Sequence, residues 1–150
     1  MKVAILMGSK SDLDKMQPAA DALEGFGIEA DVRVLSAHRN PAEVTELAAR
    51  ARDDGYVAFI CGAGLAAHLP GVVAAHTTLP VVGVPLSGGR ALGGVDALYS
   101  IVQMPPGVPV ATVAIDGAVN AALLVVEMLA VSDDKLAAKL DEDREARAAR

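Results

Sequence analysis

A short polar segment, Gly8-Ser9-Lys10-Ser11-Asp12, directly follows an apolar run at residues 3–7. Small residues and hydroxyls at this place leave backbone N–H groups free to bind an anion, and the dipole of a following helix favours that binding. Ser9 and Ser11 can add hydroxyl donors, and Asp12 can accept hydrogen bonds from a sugar. Ser11 could instead simply cap the next helix, so the segment alone leaves both interpretations open.

A second polar segment, Ser36-Ala37-His38-Arg39-Asn40-Pro41, follows the next apolar run, at residues 30–35. The fork-shaped guanidinium of Arg39 is suited to phosphate, and His38 belongs to the residue type that exchanges a proton near neutral pH. A lone surface His-Arg pair carries little meaning by itself. Its place after a predicted strand favours a functional role, because open α/β sheets bind ligands there.

The third segment is rich in glycine and alanine and runs Gly62-Ala63-Gly64-Leu65-Ala66-Ala67-His68-Leu69-Pro70-Gly71. Glycines let the backbone approach a ligand closely, and alanines leave a pocket without bulky or charged walls. Tight packing between a helix and a strand would select the same residues. His68 fits a structural role as well as a ligand contact, and the only cysteine, Cys61, is interpreted as a core residue.

Several kinds of site are not indicated. The chain has no GxGxxG or GxxxxGK[ST] segment, and no acidic residue ends the second strand, which argues against nicotinamide and nucleoside triphosphate sites. Its three histidines are widely spaced and lack an HExxH pattern, so no metal site is predicted. GxSxG is absent as well, and a single cysteine allows no disulfide framework within the chain.

Short apolar runs alternate with stretches of helical length, a pattern typical of βα units with a parallel sheet. We therefore predict a three-layer, doubly wound parallel sheet of about five strands, flavodoxin-like or Rossmann-like, with a C-terminal helix. The predicted strands are residues 3–7, 30–35, 56–61, 81–84 and 110–115, and the predicted helices are 12–26, 41–54, 66–75, 95–102 and 118–130. Such a sheet would place the three polar segments at one edge, since ligands bind beyond the carboxyl ends of its strands.

Composition narrows the class of protein further. The 150 residues are 53% hydrophobic but include only two Phe, two Tyr and no Trp, and the net charge is −6. The negative charge argues against a nucleic-acid partner, and no apolar stretch predicts a membrane span or a secretory signal, so a cytoplasmic protein is expected. Residues 118–130 are apolar on nearly all sides, which favours burial against another subunit.

Two regions are distinguished along the chain. Residues 1–131 are expected to form the α/β catalytic domain, and the charged residues 132–150 a helical tail of the same domain. A thin apolar stripe of Leu136 and Leu140 suits either a solvated helix or one that docks on a neighbouring subunit.

Taken together, the three segments resemble the PurE family of purine biosynthesis. Two later segments, residues 94–105 and 120–124, resemble it too, so the similarity covers nearly the whole chain up to about Ala130. Each segment alone is a weak signal, but five in order and spacing are a strong one. Residues 66–71 and 99–105 look like the class I, or mutase, subtype rather than the subtype that carboxylates aminoimidazole ribonucleotide directly.

The resemblance implies an isomerase, an N5-carboxyaminoimidazole ribonucleotide mutase that forms 4-carboxy-5-aminoimidazole ribonucleotide. It implies no metal, nucleotide or organic cofactor, a phosphorylated ribonucleotide substrate, and assembly as a homo-octamer. By the match of segments, His38 would be the catalytic acid/base, and Ser9, Asp12 and Arg39 would bind substrate. The pocket for the base and for carbon dioxide would be formed by Ser11, Ser36, Gly62, Ala63, Gly64, Ala66, Ala67, His68 and Leu69.

The chain departs from the family pattern in three places. Leu65 stands where a second glycine is usual, a change expected to crowd or reshape the pocket. Residues 86–93 are about one residue longer than usual, and residues 115–119 about two residues shorter. Two alternatives stay open: the direct carboxylase, which uses carbon dioxide, and a non-catalytic nucleotide-binding module.

Overall fold

The computed structural model describes residues 1–149, which form a five-stranded, all-parallel sheet with helices on both faces. The strands are β1 (Lys2–Met7), β2 (Glu29–Val34), β3 (Tyr56–Gly64), β4 (Val81–Leu86) and β5 (Ala111–Thr112). The α-helices are α1 (Leu13–Gly25), α2 (Pro41–Arg50), α3 (Leu69–His76), α4 (Val95–Val102), α5 (Ala118–Ala130) and α6 (Asp134–Ala148). The strand order β2-β1-β3-β4-β5 is that of flavodoxin-like folds, so the predicted fold class is confirmed.

The sheet divides the apolar interior into two cores. Residues of α1, α5 and α6 cover one face, and residues of α2, α3 and α4 cover the other. Strand β4 is buried along its whole length, as expected for an interior parallel strand with helices on both sides. Strand β2 lies at an edge of the sheet, where only β1 pairs with it. None of its six residues is fully buried.

Element boundaries differ from the predicted ones where the glycine-rich segments begin. Strand β3 continues to Gly64 instead of ending at residue 61, because its partner β4 also continues, to Leu86. Helix α3 begins at Leu69, and the residues before it form a loop in which Leu65 has a left-handed backbone with φ of 56°. Strand β5 is shorter than predicted, with only two paired residues.

The C-terminal helix α6 is held against the rest of the domain. Asp133 caps its N-terminus by accepting hydrogen bonds from the backbone N–H groups of Lys135 and Leu136. Leu136 is buried in the first core, and the Lys139 ammonium donates to the Phe26 carbonyl at 2.9 Å. Helices α1 and α6 thus cover much of α5 within a single chain, which weakens the expectation that α5 needs another subunit for its burial.

A further stretch of exposed apolar surface lies on α4. Val95, Tyr99 and Val102 follow one another at helical spacing and are 43%, 63% and 47% exposed. In residues 1–149 no helix is both long enough and apolar enough to span a bilayer.

Glycine allows the helices to approach the sheet closely at Gly83, in the middle of β4. A Cβ atom there would lie 2.4 Å from Cγ2 of Ile101 and 3.1 Å from Cγ1 of Val110, both of which are buried. Replacing Gly83 by alanine is therefore expected to lower the free energy of unfolding by about 1–3 kcal/mol, the usual cost of overpacking a core. Urea denaturation followed by circular dichroism measures this change.

Gly25 provides the matched control, since a Cβ at this helical position would meet nothing within 4 Å. Gly25→Ala is expected to leave the urea midpoint unchanged or slightly higher, because alanine is the better helix former. An equal loss of stability in both variants would show that the contact with Ile101 is not the cause.

Candidate active site

A cavity of about 450 Å³ opens at the carboxyl ends of the strands. Its size lies within the range of small-molecule binding pockets. The loops after β1, β2, β3 and β4 all contribute to its wall, so the three segments singled out in the sequence do meet in space. The lining residues are Gly8, Ser9, Ser11, Asp12, Lys15, Ser36, Ala37, His38, Arg39, Ala63, Gly64, Leu65, Ala66, His68, Leu69, Leu86, Ser87, Gly88, Gly89 and Arg90.

The position of the cavity follows from the strand order. Strands β1 and β3 are neighbours, yet the chain leaves them toward opposite faces of the sheet, to α1 and to α3. A crevice forms where connections diverge in this way, and ligands of open α/β sheets bind there.

The loop after β1 is organised around the Ser9 hydroxyl. Ser9 caps a short 3-10 turn, Lys10–Asp12, and its Oγ accepts hydrogen bonds from the Ser11 N–H at 3.2 Å and the Ser11 hydroxyl at 2.8 Å. Capping by Ser11, the alternative considered from the sequence, is therefore not what the structure shows. Burial raises the pKa of the Asp12 carboxyl at the end of this turn, although the nearby Lys15 and Arg39 favour its ionised form.

The loop after β2 presents His38 and Arg39 from a hydrogen-bonded turn. The buried Ser36 accepts hydrogen bonds at its Oγ from the backbone N–H groups of His38 and Arg39, both at 3.3 Å. The Asn40 side chain accepts from the Ser36 N–H, and the Arg39 guanidinium donates to the Gly8 carbonyl. Ser36 therefore shapes this loop, and Arg39 ties it to the loop after β1.

His38 and His68 form a direct pair across the cavity wall. Nε2 of His38 lies 2.7 Å from Nδ1 of His68, and the two rings meet nearly edge to face at 81°. A hydrogen bond between two imidazole nitrogens requires one nitrogen to donate and the other to accept, so the two rings hold one proton between them along this contact. The sequence singled out both histidines but did not predict their contact.

The small-residue segment contributes unequally to the cavity. Ala63, Gly64 and Ala66 line it, as predicted, and Leu69 lines it as well. Gly62 does not, because β3 extends past it and turns it toward α1, where an added Cβ would lie 2.4 Å from Sδ of Met16. Ala67 is 2% exposed and belongs to the second core, so it lies behind the cavity wall and not in it.

Sequence reasoning missed the loop after β4. Lys15, on α1, donates from its ammonium to the Ser87 hydroxyl at 2.8 Å, to the Ser87 carbonyl and to Asp116 at 2.9 Å. The Ser87 backbone N–H also donates to Asp116 at 2.9 Å. Partial burial disfavours the charge on Asp116, but the bonds from Ser87 and Lys15 outweigh it and hold the pKa of that carboxyl below its usual range.

The remaining titratable candidates do not join the site. Burial raises the pKa of the Cys61 thiol, so this side chain remains protonated within the second core. Among residues 1–149, no group of three or more His, Cys, Asp and Glu side chains is arranged to hold a metal ion.

The chain is similar in sequence to three mutases from distant organisms, each named N5-carboxyaminoimidazole ribonucleotide mutase. The protein from Pyrococcus abyssi is 54% identical over 96% of this chain and 82% of its own length, and that from Brucella melitensis is 56% identical over 96% and 90%. The protein from Bacillus subtilis is 53% identical over 95% of this chain and 89% of its own.

Structure and family models agree with the sequence similarity. The crystal structure of Treponema denticola PurE superposes with a TM-score of 0.87 at 30% identity, covering 98% of this chain and 91% of that one. The family model described as AIR carboxylase matches residues 2–150. The chain therefore belongs to the AIR carboxylase family, the PurE family that its sequence segments resemble.

Proposed function

We propose that this protein is an N5-carboxyaminoimidazole ribonucleotide mutase of purine biosynthesis. The observation that carries the proposal is the His38–His68 pair, held at 2.7 Å in the wall of a cavity that also presents Arg39 and Ser9. The mutase names of relatives more than 50% identical support this reaction over the direct carboxylation of aminoimidazole ribonucleotide.

The phosphorylated end of the substrate would bind at the loops after β1 and β2. Arg39 brings a guanidinium and Ser9 a hydroxyl to the cavity, and both groups donate readily to phosphate oxygens. Asp12 lies at the same wall, where its carboxyl can accept hydrogen bonds from the ribose hydroxyls. A substrate fixed at this end brings its imidazole to the reacting groups, and such positioning lowers the barrier substantially.

His38 would move the proton that the reaction requires. As the bond between the exocyclic nitrogen and the carboxylate carbon breaks, its electron pair returns to nitrogen, and that nitrogen takes a proton from His38. The ring carbon then attacks the released carbon dioxide, and the proton that this carbon carried passes to the now neutral His38, which restores the acid. His68 keeps the His38 ring in position and shares its proton between turnovers.

The released carbon dioxide would be held by the small-residue wall. Ala63, Gly64 and Ala66 give this part of the cavity no charged or hydrogen-bonding side chain. A small apolar molecule can therefore lie against these three residues without displacing a polar contact. The reaction is a net isomerisation, because the carbon dioxide that leaves the nitrogen is added to the ring carbon, and one proton gained at nitrogen is balanced by one lost from carbon.

The test offers the purified protein each candidate substrate in turn. N5-carboxyaminoimidazole ribonucleotide is expected to be converted at neutral pH, with the product followed by its ultraviolet absorbance. Aminoimidazole ribonucleotide with bicarbonate is expected to react far more slowly. Fast turnover of the second pair alone would assign the chain to the direct carboxylases, and binding without turnover of either would make it a nucleotide-binding module.

We further propose that the protein is a cytoplasmic homo-oligomer, an octamer as the family resemblance implies. The exposed stripe of Val95, Tyr99 and Val102 on α4 supports an interface, since soluble monomers seldom leave such a patch in water. Sedimentation is expected to give a particle several times the 15.3 kDa chain mass. A monomer at micromolar concentration would contradict this.

A further inference from the structure

Leu65 is an unusual residue in the wall of the cavity. It is the loop residue directly after β3, its backbone is left-handed with φ of 56°, and the residue is 51% exposed. It lines the cavity between two small neighbours, Gly64 and Ala66, and is three residues from His68.

Two separate costs come with leucine at this position. A residue with a Cβ is destabilised in the left-handed region, where glycine is not. In addition, half of a large apolar side chain stays in water, which burial elsewhere would avoid. A glycine would remove both costs, so the fold of the single chain does not account for leucine here. Strained residues that persist in this way are concentrated at functional sites.

We propose that Leu65 is a positioning residue that covers the bound imidazole and keeps the released carbon dioxide inside the cavity until the ring carbon attacks it. This inference rests on the proposed mutase function. The half-exposed side chain would lose its contact with water when substrate fills the cavity, which offsets the cost of exposure in the free protein.

Retention matters because carbon dioxide is a free intermediate within the site. After the nitrogen–carbon bond breaks, the intermediate can either add to the ring carbon or escape and become bicarbonate in solution. Escape leaves aminoimidazole ribonucleotide, and carbon dioxide from the buffer can then enter in place of the original molecule. The fraction of product that carries buffer carbon thus reports how well the cavity is closed.

The experiment uses N5-carboxyaminoimidazole ribonucleotide as substrate in buffer containing ¹³C-bicarbonate, with Leu65→Gly, Leu65→Ala and Leu65→Met variants. Mass spectrometry measures label in the product, and chromatography measures released aminoimidazole ribonucleotide, each corrected for the reaction without enzyme. Leu65→Gly and Leu65→Ala are expected to raise both quantities several-fold per turnover, whereas Leu65→Met keeps the apolar side chain and stays near the wild type.

Leu92→Ala is the matched control, because Leu92 is 74% exposed but lies outside the cavity lining. It is expected to leave the label unchanged. Leu65→Gly is also expected to keep or raise the midpoint of urea unfolding, since it relieves the left-handed strain.

Three results would overturn the inference. The first is that Leu65→Gly and Leu65→Ala incorporate no more label than the wild type, in an assay where the wild type does convert the substrate. The second is a lower unfolding midpoint for Leu65→Gly, which would make Leu65 a packing residue, and the third is altered sedimentation, which would make it an interface residue. A wild type that does not convert the substrate would instead refute the proposed function itself.

Discussion

Replacing His38 by asparagine is expected to remove most turnover while leaving the affinity for substrate close to that of the wild type. Asparagine keeps a polar side chain in the turn formed by Ser36, but it cannot accept and return a proton at neutral pH. Loss of general acid–base catalysis lowers the rate by roughly 10²- to 10⁴-fold. Steady-state kinetics with N5-carboxyaminoimidazole ribonucleotide would measure kcat, and titration calorimetry with the product would measure binding.

His76→Asn is the control for the loss of a histidine, because His76 is exposed at the end of α3, outside the cavity lining. It is expected to retain normal turnover. If His38→Asn also retained near-normal turnover, His38 would not be the acid/base, and the proposed mechanism would have to be abandoned.

Replacing Arg39 by methionine is expected to raise KM by roughly 10- to 100-fold, because a hydrogen bond to a charged group contributes about 1.5–3 kcal/mol. The value of kcat is expected to change much less, since phosphate is remote from the reacting atoms. The KM of Arg39→Lys is expected to lie between those of Arg39→Met and the wild type, because an ammonium keeps the charge but not the two parallel donors. Initial rates over a range of substrate concentrations distinguish the two parameters.

Arg39 also donates to the Gly8 carbonyl, so its loss could disturb the loop rather than the ligand. The control for charge is Arg52→Met, at an exposed arginine that donates to Thr78 and lies outside the cavity lining. Urea unfolding of each variant controls for stability. An unchanged KM in Arg39→Met would remove Arg39 from the binding site.

Local patterns were sufficient to predict the fold and the residues of the first two loops. The alternation of apolar runs and helical stretches depends on neighbours in sequence, and so does the cap at Asn40-Pro41 that begins α2. The rule that ligands bind beyond the carboxyl ends of parallel strands then singles out Ser9, His38 and Arg39. The structure places all three at the cavity.

Long-range contacts could not be predicted in the same way. His38 and His68 are 30 residues apart, and nothing in either segment specifies which ring nitrogens meet. The place of Gly62 outside the cavity lining has a more local cause. Because side chains alternate along a strand, ending β3 three residues too early placed Gly62 in a loop, whereas a strand that reaches Gly64 directs Gly62 at Met16.

The Lys15–Ser87–Asp116 contacts join the loop after β4 to the loop before α5, the two segments that the family resemblance leads us to expect to differ in length. Ser87 lies in the first loop, Asp116 lies in the second with a left-handed backbone at φ of 56°, and Lys15 binds both. A change in either loop alters the contacts of Lys15, because this one ammonium donates to both. A chimera with a relative is therefore expected to need both loops exchanged together with position 15.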